Sequence, residues 1–246
     1  MPPKRNPPAG RPPHSERAVA LHSHIFSLPA EELQGQPWKL CRTIEDFANN
    51  EGLGMIYRQK KMEISRRALT GLDPKPKLIL EFGTFVGVSA IGWAATLKEL
   101  NPGADDVHLY TFELDPKMAQ IARDLIKLAG LEDVVTIVVG PAAESLKQLH
   151  ADGKVSPGKV DMAFIDHWEE HYKPDLQLCE QLKLFHVGSI VIADNTDMPG
   201  APDYLEYVKK GGSGESGAVK YQSESYLTDP EERGPKVVEI STIIAV

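Results

Sequence analysis

The chain has 246 residues, 41% of them apolar and 25% charged, with a formal net charge of −8. That length supports one substantial hydrophobic core, and the composition is that of a soluble globular protein. The acidic balance argues against nonspecific nucleic-acid binding, which needs a basic surface, but not against a small cationic ligand.

The two cysteines, Cys41 and Cys179, lie in helix-like segments without metal-ligand spacing and read as buried thiols in a reducing compartment. No apolar run approaches a transmembrane span, and no apolar stretch near the N-terminus marks a signal peptide. A cytoplasmic protein with no membrane and no nucleic-acid partner is therefore expected. Residues 1–13 contain six prolines, three basic residues and no acid, and read as a disordered arm. Residues 14–246 are expected to form one domain, with cap helices over 14–72 and an α/β core over 77–246.

Ser15 reads as the N-cap of a first helix, with Ala18, Leu21, His22 and Ile25 on one face. A second helix is predicted from Trp38 to Asn50, where Trp38, Cys41, Ile44 and Ala48 repeat at helical spacing and Gly52 and Gly54 end the run. A third runs from Arg58 to Leu69. Strands and helices then alternate. The strands are Lys77–Phe82, Val107–Glu113, Val134–Val139, and two runs ending at Asp166 and Asp194. The helices are Gly87–Leu100, Pro116–Ala129, Pro141–His150 and Pro174–Leu184. Such alternation predicts a parallel sheet with helices on both faces. Beyond the Gly/Ser loop 211–217, Val219–Ser225 and Val237–Val246 alternate as half-buried strands. They are joined by the turn-rich segment 229–235 and are expected to finish the sheet as an antiparallel pair.

Two stretches concentrate the chemistry: Val160-Asp-Met-Ala-Phe-Ile-Asp-His-Trp-Glu-Glu-His-Tyr172 and Ser189-Ile-Val-Ile-Ala-Asp-Asn195. Each is an apolar run ending in carboxylates or amides. In open α/β sheets, ligands bind at that end of the strands. Asp166, Asp194 and Asn195 would converge as hard oxygen ligands, a set that suits Mg²⁺. The alternative, helix capping by Asp194 or Asn195, is disfavoured by Asp197-Met-Pro199, a poor helix start.

The first strand leads into Glu81-Phe-Gly-Thr-Phe-Val-Gly-Val-Ser89, where Gly83 and Gly87 let the backbone turn close to a ligand. It lacks the G-x-G-x-x-G dinucleotide spacing. A glycine turn preceded by a carboxylate suits a ligand with an ammonium group, and an ordinary strand-to-helix turn fits as well. Glu113, ending the second strand, is placed to accept both ribose hydroxyls of an adenosine ligand or to cap the next helix, a task open also to Asp115.

From Leu78 to Tyr204 the sequence resembles the catechol O-methyltransferase family, a branch of the class I methyltransferases that use S-adenosylmethionine. The matching stretches are Ile79-Leu-Glu-Phe-Gly-Thr-Phe-Val-Gly-Val-Ser-Ala90, Phe164-Ile-Asp-His-Trp168, Ala193-Asp-Asn195 and Pro199-Gly-Ala-Pro-Asp-Tyr204. The ending, Tyr221-Gln-Ser and the final strand, looks more like fungal members of the family.

The resemblance implies a Rossmann-like fold: a mostly parallel seven-stranded sheet with an antiparallel C-terminal strand and N-terminal cap helices. It implies Mg²⁺ at Asp166, Asp194 and Asn195. Glu81, Gly83, Phe85, Gly87 and Ser89 would hold the methionine part of the cofactor, and Glu113 with Leu114 the ribose. Gly140, Ala142, Ala143, Asp166, His167 and Trp168 would line the adenine side, and Met55 and Tyr57 would cover the methyl donor. Leu53, Trp168, Asn195, Pro199 and Tyr226 would meet the acceptor, a small catechol or phenol. A monomer or weak homo-oligomer is expected.

The chain departs from that pattern at Glu169, where the family places its catalytic lysine. One charge about 6 Å from an acceptor oxyanion contributes roughly 3 kcal/mol at an effective dielectric of about 20, so a reversed sign matters. Glu169 is the candidate catalytic residue, as a base, a metal ligand or a hydrogen-bond acceptor, with His171 and Lys173 as possible substitutes. Tyr226 stands where the family has an orienting carboxylate, and Glu224 is nearby. These departures leave an alternative: a cofactor-binding homologue whose catechol methylation is lost or redirected. A nicotinamide oxidoreductase on a similar sheet is disfavoured by the missing glycine fingerprint.

Overall fold

A computed structural model describes residues 12–228 and 236–246. Most of the proline-rich arm and the turn segment 229–235 lie outside the described residues. The cap comprises α1 (His14–Ser27), α2 (Ala30–Leu33), α3 (Pro37–Glu51) and α4 (Gln59–Thr70). Helix α1 starts after Pro13 with no side-chain cap, so Ser15 lies inside it rather than capping it. The four-residue α2 was not expected from the pattern.

The core then alternates β1 (Leu78–Phe82), α5 (Val88–Leu100), β2 (His108–Glu113), α6 (Pro116–Leu128), β3 (Val135–Val139), α7 (Ala142–Ala151), β4 (Val160–Ile165), α8 (Tyr172–Gln181), β5 (Phe185–Ala193), α9 (Pro202–Lys209), β6 (Lys220–Leu227) and β7 (Val237–Ala245). Helix α9 is an addition to the sequence reading. Its start, Pro202-Asp203, sits just past the glycine and proline turn that hides it.

The seven strands form one sheet in the order β3-β2-β1-β4-β5-β7-β6. The first five are mutually parallel, and β7 runs antiparallel to both β5 and β6. Strand residues alternate between two cores, as period-2 side chains must. Ile79, Met162, Phe164, Ile190, Ile192, Val238 and Ile240 pack with α5 and the cap helices. Leu80, Phe82, Ala163, Ile165, Val191 and Ala193 pack with the α8 and α9 side. With both faces covered, β4 is buried along its whole length.

Helix α5 is buried from Val88 through Leu97, as expected of a helix apolar on all sides and lying between sheet and cap. Helix α6 is opened by Asp115, whose carboxylate accepts from the Lys117 N–H at 2.8 Å, with Pro116 at its first turn.

Two glycines set how closely the layers approach. At Gly92 an added Cβ would lie 2.4 Å from the Met62 methyl, so its absence lets α4 settle on α5. At Gly83, with φ of 103°, a Cβ would lie 2.4 Å from the Asp166 carbonyl oxygen. That contact welds the turn after β1 to the end of β4. We expect Gly83→Ala to lower stability by about 2–4 kcal/mol, because neither the positive φ nor the backbone oxygen can give way. Gly92→Ala is expected to cost about 1 kcal/mol or less, since the Met62 tip can rotate and alanine favours the helix. Denaturant midpoints of the two variants check the contrast.

Candidate active site at the strand ends

Strands β1, β4 and β5 end level with one another: Phe82 pairs with Ile165, and Ile165 with Ala193. The ladder continues one residue further, with the Asp166 N–H donating to Phe82 O at 2.9 Å and the Asp194 N–H to Ile165 O at 3.0 Å. This register brings Asp166, Asp194 and Asn195 together. The Asn195 amide donates to Asp166 Oδ1 at 3.1 Å. Asn195 itself has φ of 57°, a left-handed conformation that asparagine tolerates and that turns the chain sharply after β5.

A lysine that the motifs did not single out completes the cluster. Lys61, on α4, is 7% exposed, and its ammonium donates to Asp194 Oδ1 at 2.5 Å and to Asn195 Oδ1 at 3.3 Å. Its signal in the sequence was position: Lys61, Ser65 and Leu69 share the inward stripe of α4. Burial raises the carboxyls of both aspartates above their ordinary range. At Asp166 the neighbouring Asp194 adds to the rise, and Lys61 opposes it at both. Tyr172 braces the floor by donating to the Asp194 carbonyl at 3.1 Å.

Glu81, on β1, is fully buried, and neither carboxylate oxygen has a hydrogen-bond partner. Burial pushes its carboxyl up to about 7, with the nearby Ser89 and Thr111 hydroxyls pulling it back and Glu113 adding to the rise. Glu113 braces the glycine turn: its carboxylate accepts from the Phe85 N–H at 2.7 Å and the Asp115 N–H at 2.9 Å. Phe85 has φ of 49° and Gly87 φ of 82°, so the turn coils tightly into α5. Leu114 is 64% exposed beside it, and the Gly140 N–H donates to the Glu113 carbonyl at 2.9 Å, drawing in the start of α7 with Ala142 and Ala143.

His167 is fixed by Asp175, whose Oδ2 lies 2.7 Å from Nε2, while its buried Nδ1 has no partner. Its ring stacks on Tyr172 at 5.4 Å. Trp168 is 65% exposed and Met55 67% exposed.

Several expected positions fall elsewhere. Leu53, assigned to the acceptor's gate, is buried in the cap-side core instead, because the αL turn at Gly52 directs it inward. Tyr57, assigned above the methyl donor, also points into the core: its hydroxyl meets Ser65 Oγ at 2.5 Å and its ring packs edge-on to Phe164. Lys173 lies over the Tyr207 ring, on the α9 side. His171 sits within 3.8 Å of Glu170.

Pro199 lies in the turn Thr196–Gly200 right after Asn195, and Asp197 fastens that turn to β7 by accepting from the Lys236 and Val237 N–H groups. The Tyr226 hydroxyl donates to Glu224 at 2.7 Å, so the two candidates for the missing orienting acid hold each other. Glu169, in a single 3-10 turn, is partly buried; burial raises its carboxyl, and its charge acts on Asp166.

A family model described as a methyltransferase domain matches residues 80–196. Catechol O-methyltransferase of Bos taurus is 36% identical over 195 residues, covering 79% of this chain and 67% of that protein. The Mus musculus enzyme is 33% identical, covering 80% and 69%. In fold, the chain is similar to an O-methyltransferase from Bacillus cereus solved with SAH, with a TM-score of 0.61 at 20% identity, covering 96% of this chain and 92% of that one. It is also similar to SAH-bound Podospora anserina methyltransferase PaMTH1, with a TM-score of 0.58 at 19% identity, covering 96% and 99%. The chain belongs to the catechol O-methyltransferase family of class I S-adenosylmethionine-dependent O-methyltransferases.

Glu81 makes stability fall with pH. Its carboxyl titrates near 7 in the folded protein and near 4.5 when unfolded, so the folded state holds the extra proton between those values. The contribution is complete below about pH 4.5 and lost as pH rises through about 7, an upper limit of roughly 3 kcal/mol. Glu81→Gln is expected to flatten that slope in ligand-free denaturation measured from pH 5 to 8.

Proposed function

We propose that this enzyme transfers the methyl group of S-adenosylmethionine to one hydroxyl of a catechol-type small molecule, with Mg²⁺ held by Asp166, Asp194 and Asn195. The observation that carries this reading is the pairing of two unlike sites on adjacent strand ends. On β1 a fully buried, unpartnered Glu81 carboxylate awaits a cation. At the ends of β4 and β5 two carboxylates and an amide oxygen lie together, the amide bonded to Asp166 through its NH₂ and to Lys61 through its oxygen.

Both groups fit the residues present. An ammonium such as that of the cofactor's methionine part satisfies the orphaned Glu81 oxygens. Two carboxylates and an amide oxygen match the hard donor set of Mg²⁺. Bound there, the cofactor supplies a sulfonium methyl group open to in-line displacement. Mg²⁺ held there would supply charge that lowers the pKa of a bound hydroxyl and a template for its orientation.

The chain's own residues do the rest. Glu81 anchors the ammonium end. Glu113, with lone pairs left after its two backbone bonds, accepts from ribose hydroxyls. The Gly83 turn carries no side chain into that space. Exposed Trp168 offers a flat face to an aromatic ring. Glu169 takes the acceptor's proton on its carboxylate; burial makes that carboxylate a stronger base than a free glutamate. The same reading takes residues 14–246 as one domain, since cap and sheet share the apolar cluster that contains Leu21, Ile44, Trp93 and Ile240.

The carboxylate at 169 also favours a second reading, a cofactor-binding homologue whose catechol methylation is lost or redirected. A methyl-donor assay over a panel of catechols and phenols, with and without Mg²⁺, separates the two. We expect Mg²⁺-dependent turnover of a catechol. Glu169→Gln should lower kcat by about 100-fold, as loss of a general base does. Calorimetric affinity for S-adenosylmethionine should stay unchanged in that variant. A gain of turnover in Glu169→Lys over a near-inactive parent supports the second reading, and no cofactor binding at all refutes both.

A further inference from the structure

We propose that the Lys61 ammonium is the resident counter-cation of the Asp166–Asp194–Asn195 site, and that a divalent ion binds only by displacing it. This inference rests on the magnesium reading above. Lys61 holds a ligand oxygen of Asp194 at 2.5 Å and the amide oxygen of Asn195 at 3.3 Å. These are two of the three side chains assigned to the metal. The pair is closed from water, with Lys61 at 9% and Asp194 at 5% side-chain exposure.

A divalent ion drawing on these same Asp194 and Asn195 oxygens would meet the ammonium's positive charge at close range in a site closed from water, so the two cations would compete for them. The Asn195 amide is oriented for the ammonium as well. Its oxygen faces Lys61 and its NH₂ faces Asp166 Oδ1, the one arrangement that satisfies both neighbours. A metal at the same place requires the amide oxygen for itself.

The lysine is not there by chance of a long surface chain. Its backbone carbonyl accepts from the Tyr57 hydroxyl at 3.3 Å, and the next residue, Met62, packs over Gly92, where a Cβ would clash. Helix α4 is thus held at the depth from which Nζ reaches the end of β5. Without a cation there, the buried Asp194 carboxylate would be left facing the half-buried Asp166, a costly arrangement. Lys61 keeps the metal-free site folded and makes it bind the ion more weakly than its oxygens alone would.

The test is a calorimetric titration of Mg²⁺ into wild-type protein and Lys61→Met at equal ionic strength, with thermal melts of both. The expected result is about tenfold or tighter Mg²⁺ binding by the variant, a lower metal-free Tm, and recovery of most of that loss at saturating Mg²⁺. Equal affinity overturns the exchange and leaves the metal reading standing, and weaker binding by the variant overturns it in the opposite sense. Absence of Mg²⁺ binding to either protein refutes the metal reading and this inference with it. The wild-type protein supplies a second measurement that needs no variant. Acetylation of Lys61 by an amine-reactive ester, followed by peptide mass spectrometry, should be slow without metal and several-fold faster with Mg²⁺. No change in that rate, with Mg²⁺ bound, overturns the proposal.

Discussion

The site depends on one constraint: three parallel strands end at the same height and carry acids there. The level register of β1, β4 and β5 places Asp166 and Asp194 side by side, with Glu81 buried on the neighbouring strand. Like charges packed out of water repel and lose hydration, and the upward displacement of their carboxyls records that cost. The fold answers with few partners. Lys61 neutralises one end, backbone N–H groups hold Glu113, and Glu81 has only the nearby Ser89 and Thr111 hydroxyls. The surplus of negative charge is what a sulfonium cofactor with an ammonium group, together with a divalent ion, would balance. Binding and folding therefore draw on the same electrostatics, and the ligand-free protein is the strained partner of the pair.

The backbone plan was open to reading from the sequence because its signals are local. Apolar runs ending in acids marked β4 and β5, the glycine turn marked the passage from β1 to α5, and Asp115-Pro116 marked the start of α6. What the sequence concealed depends on which way side chains turn in three dimensions. In Arg58-Gln-Lys-Lys61 a lysine looks like a solvated face, and only the crossing of α4 over β5 sends it to Asp194. Leu53 and Tyr57 follow a left-handed turn at Gly52, and that turn rotates both into the core. Helix α9 was hidden because glycine and proline precede it, while its buried Tyr204, Tyr207 and Val208 make it part of the core.

The side proposed for the acceptor gathers further acids around the strand ends. Glu169 brings a carboxylate to a cluster that already holds two, and Lys61 is the buried cation in contact with that cluster among the described residues. Tyr226 and Glu224 are joined on the edge strand β6, with Tyr226 partly open to solvent. The half proposed for the cofactor is built from strand ends and the turn welded at Gly83. The half proposed for the acceptor is assembled from a 3-10 turn, the turn at Pro199 and an edge strand. Such a division would let the acceptor change while the methyl donor's place stays fixed.

The clamp between His167 and Asp175 has a chemical consequence. With Nε2 committed as donor to the Asp175 carboxylate, a neutral imidazole leaves Nδ1 as a bare lone pair, and that atom is buried without a partner. Whatever rests against it has to bring its own hydrogen, as an exocyclic amine or a hydroxyl does. An ether oxygen or a carbonyl at the same spot meets only repulsion. A single carboxylate on α8 thus fixes which His167 nitrogen carries the proton, and with it the kind of group that could pair with the other.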